Sequence, residues 1–479
     1  MNLPTIIQGG MGVGVSDWRL ANAVARAGQL GVVSGTGVSS VLVRRLQDGD
    51  PDGAMRRALA HFPVAAVAER ILEAYFIPGG KPAEQSYRVV PMYTERPADE
   101  LQLLTVAANF AEVWLAREGH QGVVGINLME KIQLPNPASL YGAMLAGVDY
   151  VLMGAGIPRE IPGILDRLAG HLAVELSLHV EQAGPDDAYS LHFDPRALLP
   201  ELGATPLARP RFLAIIASTT LAIALAKKAT GKVDGFVIEG PTAGGHNAPP
   251  RGQLQLNERG EPIYGPRDEV DLDKIRALGL PFWLAGSYAN PAQVQAALDT
   301  GAAGIQAGTI FALSAEAGIS PTIRRTLLEL ITTGSGAILT DPLASPTGFP
   351  FKVADVPGSL SDPEVYAERP RQCDLGYLRS AYKRADGQLG FRCPAEPVAT
   401  YVAKGGAEAD TAGRKCLCNA LFANIGLGQQ RRGYAEQALI TLGDDTAGAA
   451  HLAALHPDGY TAQDAVAYLL EQVAVSRAV

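Results

Sequence analysis

The stretch Phe236-Val-Ile-Glu-Gly-Pro-Thr-Ala-Gly-Gly-His246-Asn247 sets one imidazole beside backbone that carries no side chains. Histidine has an ordinary pKa close to neutrality, so an imidazole that reaches a ligand can orient it or move its proton. Gly244 and Gly245 let the chain turn sharply or lie against a flat ligand, because neither has a Cβ to clash. The apolar run Phe236–Glu239 reads as a buried strand that ends at this loop. A histidine at the mouth of a strand is well placed for acid–base chemistry. The plainer alternative is a histidine that caps its own loop.

Two further loops could bind an anion. Ala285-Gly286-Ser287 and Ala307-Gly308-Thr309 each follow a strand-like run, offer unobstructed N–H groups and a hydroxyl, and are expected to open into a helix N-terminus. Together they point to a phosphate-bearing cofactor. Gln8-Gly9-Gly10-Met11-Gly12 would line the same rim, its glycines admitting a planar ring and Met11 giving a soft apolar contact. Asn127 closes another strand-like run, where an amide could donate to and accept from a heterocycle edge, or else satisfy loop backbone. Arg251, a few residues past the histidine, could hold an anionic group, or simply solvate its loop.

Positioning these groups takes a scaffold of repeated βα units. Strand-like runs begin at Thr5, Gly31, Val123, Tyr150, Phe212, Phe236, Phe282 and Gly304, and Ala/Leu-rich helical runs alternate with them. Ser16-Asp17 and Asn290-Pro291 carry the helix-start chemistry expected between strands. Eight such strands make an α/β protein with a closed (β/α)8 TIM barrel the economical fold. The rival, an open doubly wound dinucleotide fold, fails on two counts. Gly10-x-Gly12-x-Gly14 has the wrong spacing, and strand two ends in Ser34, not in an acidic residue. Residues 50–119 read as a helical insertion after strand two. Residues 171–200 read as a hairpin insertion around Gly184-Pro185. The barrel is expected over residues 1–349, and 350–479 as a C-terminal α-rich appendage packed on it, with a final helix near 464–475.

Composition excludes several functions. The formal net charge is −9, so no basic stripe offers to neutralise nucleic-acid phosphates. No apolar run reaches membrane-spanning length, and the N-terminus lacks a basic leader, so a cytoplasmic location is expected. The hydrophobic content of 47% allows an ample core. The four cysteines, Cys373, Cys393, Cys416 and Cys418, all lie in one late window. That clustering suggests a structural zinc or an iron–sulfur cluster, although the C-x-C spacing is tighter than usual for zinc; the alternative is four buried thiols acting as small hydrophobes.

Three motifs in order carry a family resemblance: Ile6-Ile-Gln-Gly-Gly-Met11, Gly235–Gly240 with Ala243-Gly-Gly-His246, and Gly301-Ala-x-Gly304-x-Gln306-x-Gly308-Thr309. Over roughly residues 3–335 the chain resembles the nitronate monooxygenases, formerly called 2-nitropropane dioxygenases, which are FMN-dependent barrels related to flavin enoyl reductases. The resemblance implies FMN at the C-terminal rim. Gln8, Gly9, Gly10, Met11 and Asn127 would meet the isoalloxazine, Gly244 and Gly245 would lie along the cofactor, and Gly286, Ser287, Gly308 and Thr309 would hold its phosphate. His246 matches the family's active-site histidine. Two departures bear on substrate: Thr242 stands where an acidic residue is usual, and Asn247-Ala-Pro-Pro-Arg251 replaces a glycine soon after the histidine. The implied reaction is oxidation of an alkyl nitronate, or a similar small anion, with dioxygen. The alternative is an NAD(P)H-dependent trans-acting enoyl reductase of polyketide or fatty-acid synthesis. A third reading makes the chain a non-catalytic flavin- or metal-binding partner. A homodimer or a synthase are the partners in view.

Overall fold

Side-chain alternation sorts eight strands into one closed wall. The computed structural model describes residues 3–203 and 205–476. Its barrel strands are β1 (Ile6–Gln8), β2 (Leu30–Ser34), β3 (Val124–Met129), β4 (Tyr150–Gly154), β5 (Arg211–Ile216), β6 (Gly235–Glu239), β7 (Phe282–Ala285) and β8 (Gly304–Ala307). Each pairs in parallel with its neighbours in chain order, and β8 closes onto β1 with Ile6 opposite Ile305. The expected (β/α)8 barrel is the observed one.

Residues two apart face the same way along a strand. Ile7, Leu30, Val32, Tyr150, Leu152, Leu213, Val237 and Trp283 therefore fill the barrel interior as a cluster of their own. Their neighbours Ile6, Val33, Val151, Met153, Phe212, Phe236 and Ile305 belong to the main core under the helices. Trp283 closes the N-terminal end, donating its indole N–H to the Pro4 carbonyl at 2.8 Å. With that end packed shut, ligands are left the other end.

The helices start where cap chemistry predicts. Asp17 accepts from the Arg19 N–H to begin helix Trp18–Arg26, and Asn290 accepts from the Gln293 N–H to begin helix Pro291–Asp299. The segment after β2 holds helices Ala54–Leu59, Ala65–Tyr75 and the 19-residue Asp99–Arg117. The last packs on helices Trp18–Arg26 and Asn136–Leu145.

The region 171–200 is less simple than a hairpin. Val174–Ser177 does pair antiparallel with Ser190–Phe193. Val180–Glu181, however, leaves that ladder and pairs in parallel with Ser380–Lys383, which pairs with Leu389–Arg392. The insertion is thereby stitched to the C-terminal region. Tyr377–Asn419, which shows no periodicity in sequence, holds these two strands and helix Val398–Ala403; such short, half-buried elements give periodicity little length to show. A strand pair also crosses residue 350, Ile338–Asp341 with Phe351–Ala354. Arg369 and Glu436, both buried, form an ion pair at 2.6 Å inside the appendage. The final helix, Ala462–Ser476, packs on helices Pro291–Asp299 and Trp18–Arg26. Among the described residues no helix is long and apolar enough to cross a membrane.

Candidate active site

The loops at the C-terminal ends of the strands surround a cavity of about 170 Å³. Its walls are Gly9, Gly10 and Met11 after β1, Asn127 on β3, Gly244 and Gly245 after β6, Gly286 and Ser287 after β7, and Gly308 and Thr309 after β8. A second cavity of about 160 Å³ shares Gly10, Asn127, Gly244 and Gly245 with the first and adds His246, Phe351 and Tyr377. Ten predicted cofactor residues and the predicted catalytic histidine thus line two adjoining cavities.

The backbone explains the glycines one by one. A Cβ on Gly10 would sit 2.3 Å from the Asn127 Cβ, so the two residues pack directly, and the Asn127 amide donates to the Gly10 carbonyl at 3.1 Å. Gly286 has φ +94° and Ser287 φ +60°, a half-buried left-handed turn after β7 that Ser287 adopts at some cost in strain. Gly244 is required for a different reason than ligand approach. A Cβ there would lie 2.9 Å from both the Gly443 nitrogen and the Leu442 carbonyl carbon. The residue that looks like a cofactor glycine makes room for the appendage.

That appendage strip closes the rim. The Gly245 N–H donates to the Thr441 hydroxyl at 2.8 Å, the Gly443 N–H donates to the Thr309 hydroxyl at 2.9 Å, and the Asp444 N–H donates to the Thr242 carbonyl at 3.0 Å. Buried Lys352 anchors the strip from below, donating to Asp444 at 2.6 Å and to the Thr340 hydroxyl at 2.6 Å.

His246 is held as firmly. Its Nε2 is 2.7 Å from the Ser345 hydroxyl, which in turn lies 2.8 Å from the Thr347 hydroxyl. The ring stands edge-to-face on Phe351 at 4.8 Å, and the Asn247 N–H donates to the Pro350 carbonyl at 2.9 Å. Burial, with a smaller push from the Lys131 ammonium, lowers His246 to about 3. The imidazole is neutral at physiological pH and acts as a base or a neutral hydrogen-bonding group. Lys131 lies over the Phe349 ring at 3.6 Å and donates to the Thr347 carbonyl at 3.3 Å. Glu239, at the end of β6, lines both cavities, and burial pushes its carboxyl up to about 7.

Ser345, Thr441, Lys131 and Glu239 carry no role in the sequence reading. Only Glu239 gives a usable signal there, as an acidic residue at the C-terminal end of a barrel strand. Ser345 and Thr441 are 99 and 196 residues from the groups they touch.

Several expectations are corrected. Gln8 does not line the cavity. With Ile7 facing into the barrel, Gln8 turns the other way and clamps β2, accepting from the Val32 N–H at 3.0 Å and donating to the Val32 carbonyl at 3.2 Å. Arg251 is exposed and its guanidinium is spent on backbone, donating to the Arg267 carbonyl at 2.6 Å and to the Ala217 carbonyl just past β5 at 3.0 Å, and it lines neither cavity. The helix after β7 starts only at Pro291, so the Gly286–Ser287 turn itself faces the cavity, whereas Gly308 and Thr309 do open a helix there, the single turn Thr309–Ala312. The four cysteines are free thiols, and no group of metal-ligating side chains capable of holding an ion occurs among the described residues. Cys393 and Cys416 pack with Ala395, with Cys418 against them, and burial pushes Cys373 up to about 11. They pack as small hydrophobes, and the described residues give the zinc or iron–sulfur expectation no support.

The first cavity can be tested against a flavin. Gln306 and Asn424 line this cavity, and their side-chain oxygens are buried with no partner within the protein. Buried acceptors left without a donor are costly, and a ligand with N–H or O–H groups would satisfy them. Glycine-lined walls that admit a flat ring, free N–H groups and hydroxyls, and two acceptors awaiting donors suit a flavin.

Residues 201–334, spanning β5 to β8 and the helix Pro321–Thr332, match the family model described as nitronate monooxygenase. A search of curated proteins found no match. Among solved structures, FabK from Thermotoga maritima is 15% identical with a TM-score of 0.47, covering 99% of this chain and 94% of that one. Nitroalkane oxidase from Streptomyces ansochromogenes is 15% identical with a TM-score of 0.45, covering 99% and 97%. On the strength of the family match, the chain is a flavin-dependent oxidoreductase.

Proposed function

We propose that this protein binds FMN at the rim and oxidises alkyl nitronates, or a closely similar small anion, with dioxygen. The observation that carries the reading is a neutral imidazole, fixed by Ser345 and Phe351, over a cavity adjoining the glycine-lined cradle. Bound FMN supplies a two-electron acceptor that passes its electrons on to dioxygen.

The protein's own groups do the rest. Gly9, Gly10 and Asn127 would bound the ring, and Gly286, Ser287, Gly308 and Thr309 would receive the phosphate with backbone N–H groups and hydroxyls. With Nε2 held by the Ser345 hydroxyl, which fixes the ring's orientation, the neutral His246 Nδ1 can accept a proton from the carbon acid or hydrogen-bond to the nitronate oxygens. Lys131 sits close enough to His246 to depress its basicity and adds positive potential for an incoming anion. Glu239, neutral below pH 7, spares that anion a facing carboxylate.

An anaerobic visible spectrum tests this directly. Bleaching of the flavin band by ethyl nitronate, with none by NADH or NADPH, is the expected result. Rapid bleaching by a nicotinamide and none by nitronate would overturn it in favour of enoyl reduction.

A further inference from the structure

Beside the histidine cavity lies a third and larger chamber of about 380 Å³, within the range of cavities that enclose drug-sized ligands. It adjoins the second cavity, with Ile132, Tyr377 and Leu378 lining both. Its walls come from three separate excursions off the barrel: Val90 and Tyr93 from the segment after β2, Leu178 from the 171–200 insertion, and Leu375 and Phe391 from the appendage. All of them lie outside the segment that matches the nitronate monooxygenase model.

The polar groups on these walls are already engaged or sit at the junction. Arg379 donates to the Tyr93 carbonyl at 2.7 Å and lies over the Phe391 ring at 5.0 Å. Tyr377 shares a hydrogen bond with Ser40 at 2.9 Å. Glu130 is folded against Gly156, where a Cβ would meet its carboxyl oxygen at 1.8 Å, and takes a hydrogen bond from Gln133 at 3.3 Å. His179 also lines the chamber and is exposed. Lys131 lines the chamber too and donates to the carbonyl of Thr347, whose hydroxyl bonds the Ser345 hydroxyl that holds His246, so the ammonium stands on the histidine's side of the chamber. An apolar room with a cation at its inner door is shaped for an amphiphile: an anionic head beside Lys131 and His246, and an unbranched alkyl tail running outward past Leu378.

We infer that the side chamber is a tail-binding site, and that the protein's substrate is a straight-chain anionic amphiphile and not a two- or three-carbon anion. This rests on the reading of the rim as the reaction site and narrows the substrate class.

The test is calorimetric titration of the flavin-loaded protein with straight-chain carboxylates from butanoate to dodecanoate, which need not be turned over. Affinity should rise roughly three- to fourfold per methylene until the chamber is full, then level off. Leu178→Trp should cut the dodecanoate-to-butanoate affinity ratio at least tenfold, and Phe391→Ala should move the plateau to longer chains. Lys131→Gln should weaken every chain length by a similar factor. A flat dependence on chain length in the wild-type protein, or a rise untouched by both Leu178→Trp and Phe391→Ala, overturns the inference. Ethyl nitronate turnover measured alongside reports on the rim chemistry alone, so the two readings fail separately.

Discussion

The cofactor rim and the cysteine cluster are both gatherings of chemically capable residues, and they are built in opposite ways. At the rim, Gln306 and Asn424 keep buried acceptors unsatisfied around open space, and glycines bring bare backbone to the walls. Among the cysteines the sulfurs are packed against Ala395 and one another, each thiol driven further from ionisation by burial. Convergence in space is therefore not what marks a ligand site. The mark is polarity left unspent beside room to receive something.

That contrast can be broken from either side. The largest effect is expected from His246→Ala, which should lower nitronate turnover by roughly 10²- to 10⁴-fold, the usual worth of a positioned acid or base, while bound flavin stays near the wild-type level. Turnover within threefold of wild type would remove the histidine from the chemistry. Next comes Gly244→Val. Overpacking against Leu442 and Gly443 should cost about 1–3 kcal/mol and loosen flavin retention, read by melting temperature and by flavin content after gel filtration. Unchanged retention would mean that the appendage strip does not close the cradle.

A third prediction concerns pH. Glu239 has its carboxyl raised in the folded protein from 4.5 to about 7, so the folded state holds that proton more tightly than the unfolded chain. Its stabilising share is complete below pH 4.5 and lost as pH rises through 7. His246, lowered to about 3, works in the opposite sense and only below its ordinary value of 6.5. The difference in melting temperature between wild type and Glu239→Gln, followed from pH 5 to 8, should therefore shift steadily against the wild type. A constant difference would contradict the burial of that carboxyl. The smallest effect is expected on the cysteine side. Cys393→Ala should cost about 1 kcal/mol, and a zinc chelator should leave melting temperature and turnover unchanged. A chelator-induced fall of several degrees would put a metal back among the thiols.

Much of the scaffold could be read from the chain because strands carry their own pattern. Tyr150, Leu152 and Val151, Met153 alternate between barrel interior and helix layer as any two-faced strand must. Gly9, Gly286 and Gly308 were recognisable for the same local reason: a loop that follows a strand and lacks side chains has few other uses. Gln8 shows where that logic stops, since an amide at a strand end looks the same whether it serves a ligand or the neighbouring strand. Arg251 shows it again, as a guanidinium finds backbone carbonyls near home as readily as an anion across a cleft. Ser345 and Thr441 were out of reach because one hydroxyl among many is singled out only by tertiary pairing, and nothing in the local sequence announces it.

The ties from Thr441 to Gly245 and from Gly443 to Thr309 also fix an order of events. On the ribosome the barrel strands emerge first, and about 130 further residues must follow before the rim made by β8 meets its partner. Until residues 441–444 exist, the Gly245 N–H faces water and the cradle has no lid. A cofactor held by this rim would meet its full set of walls only once residues 441–444 are made, which ties its retention to the strip as well as to the barrel.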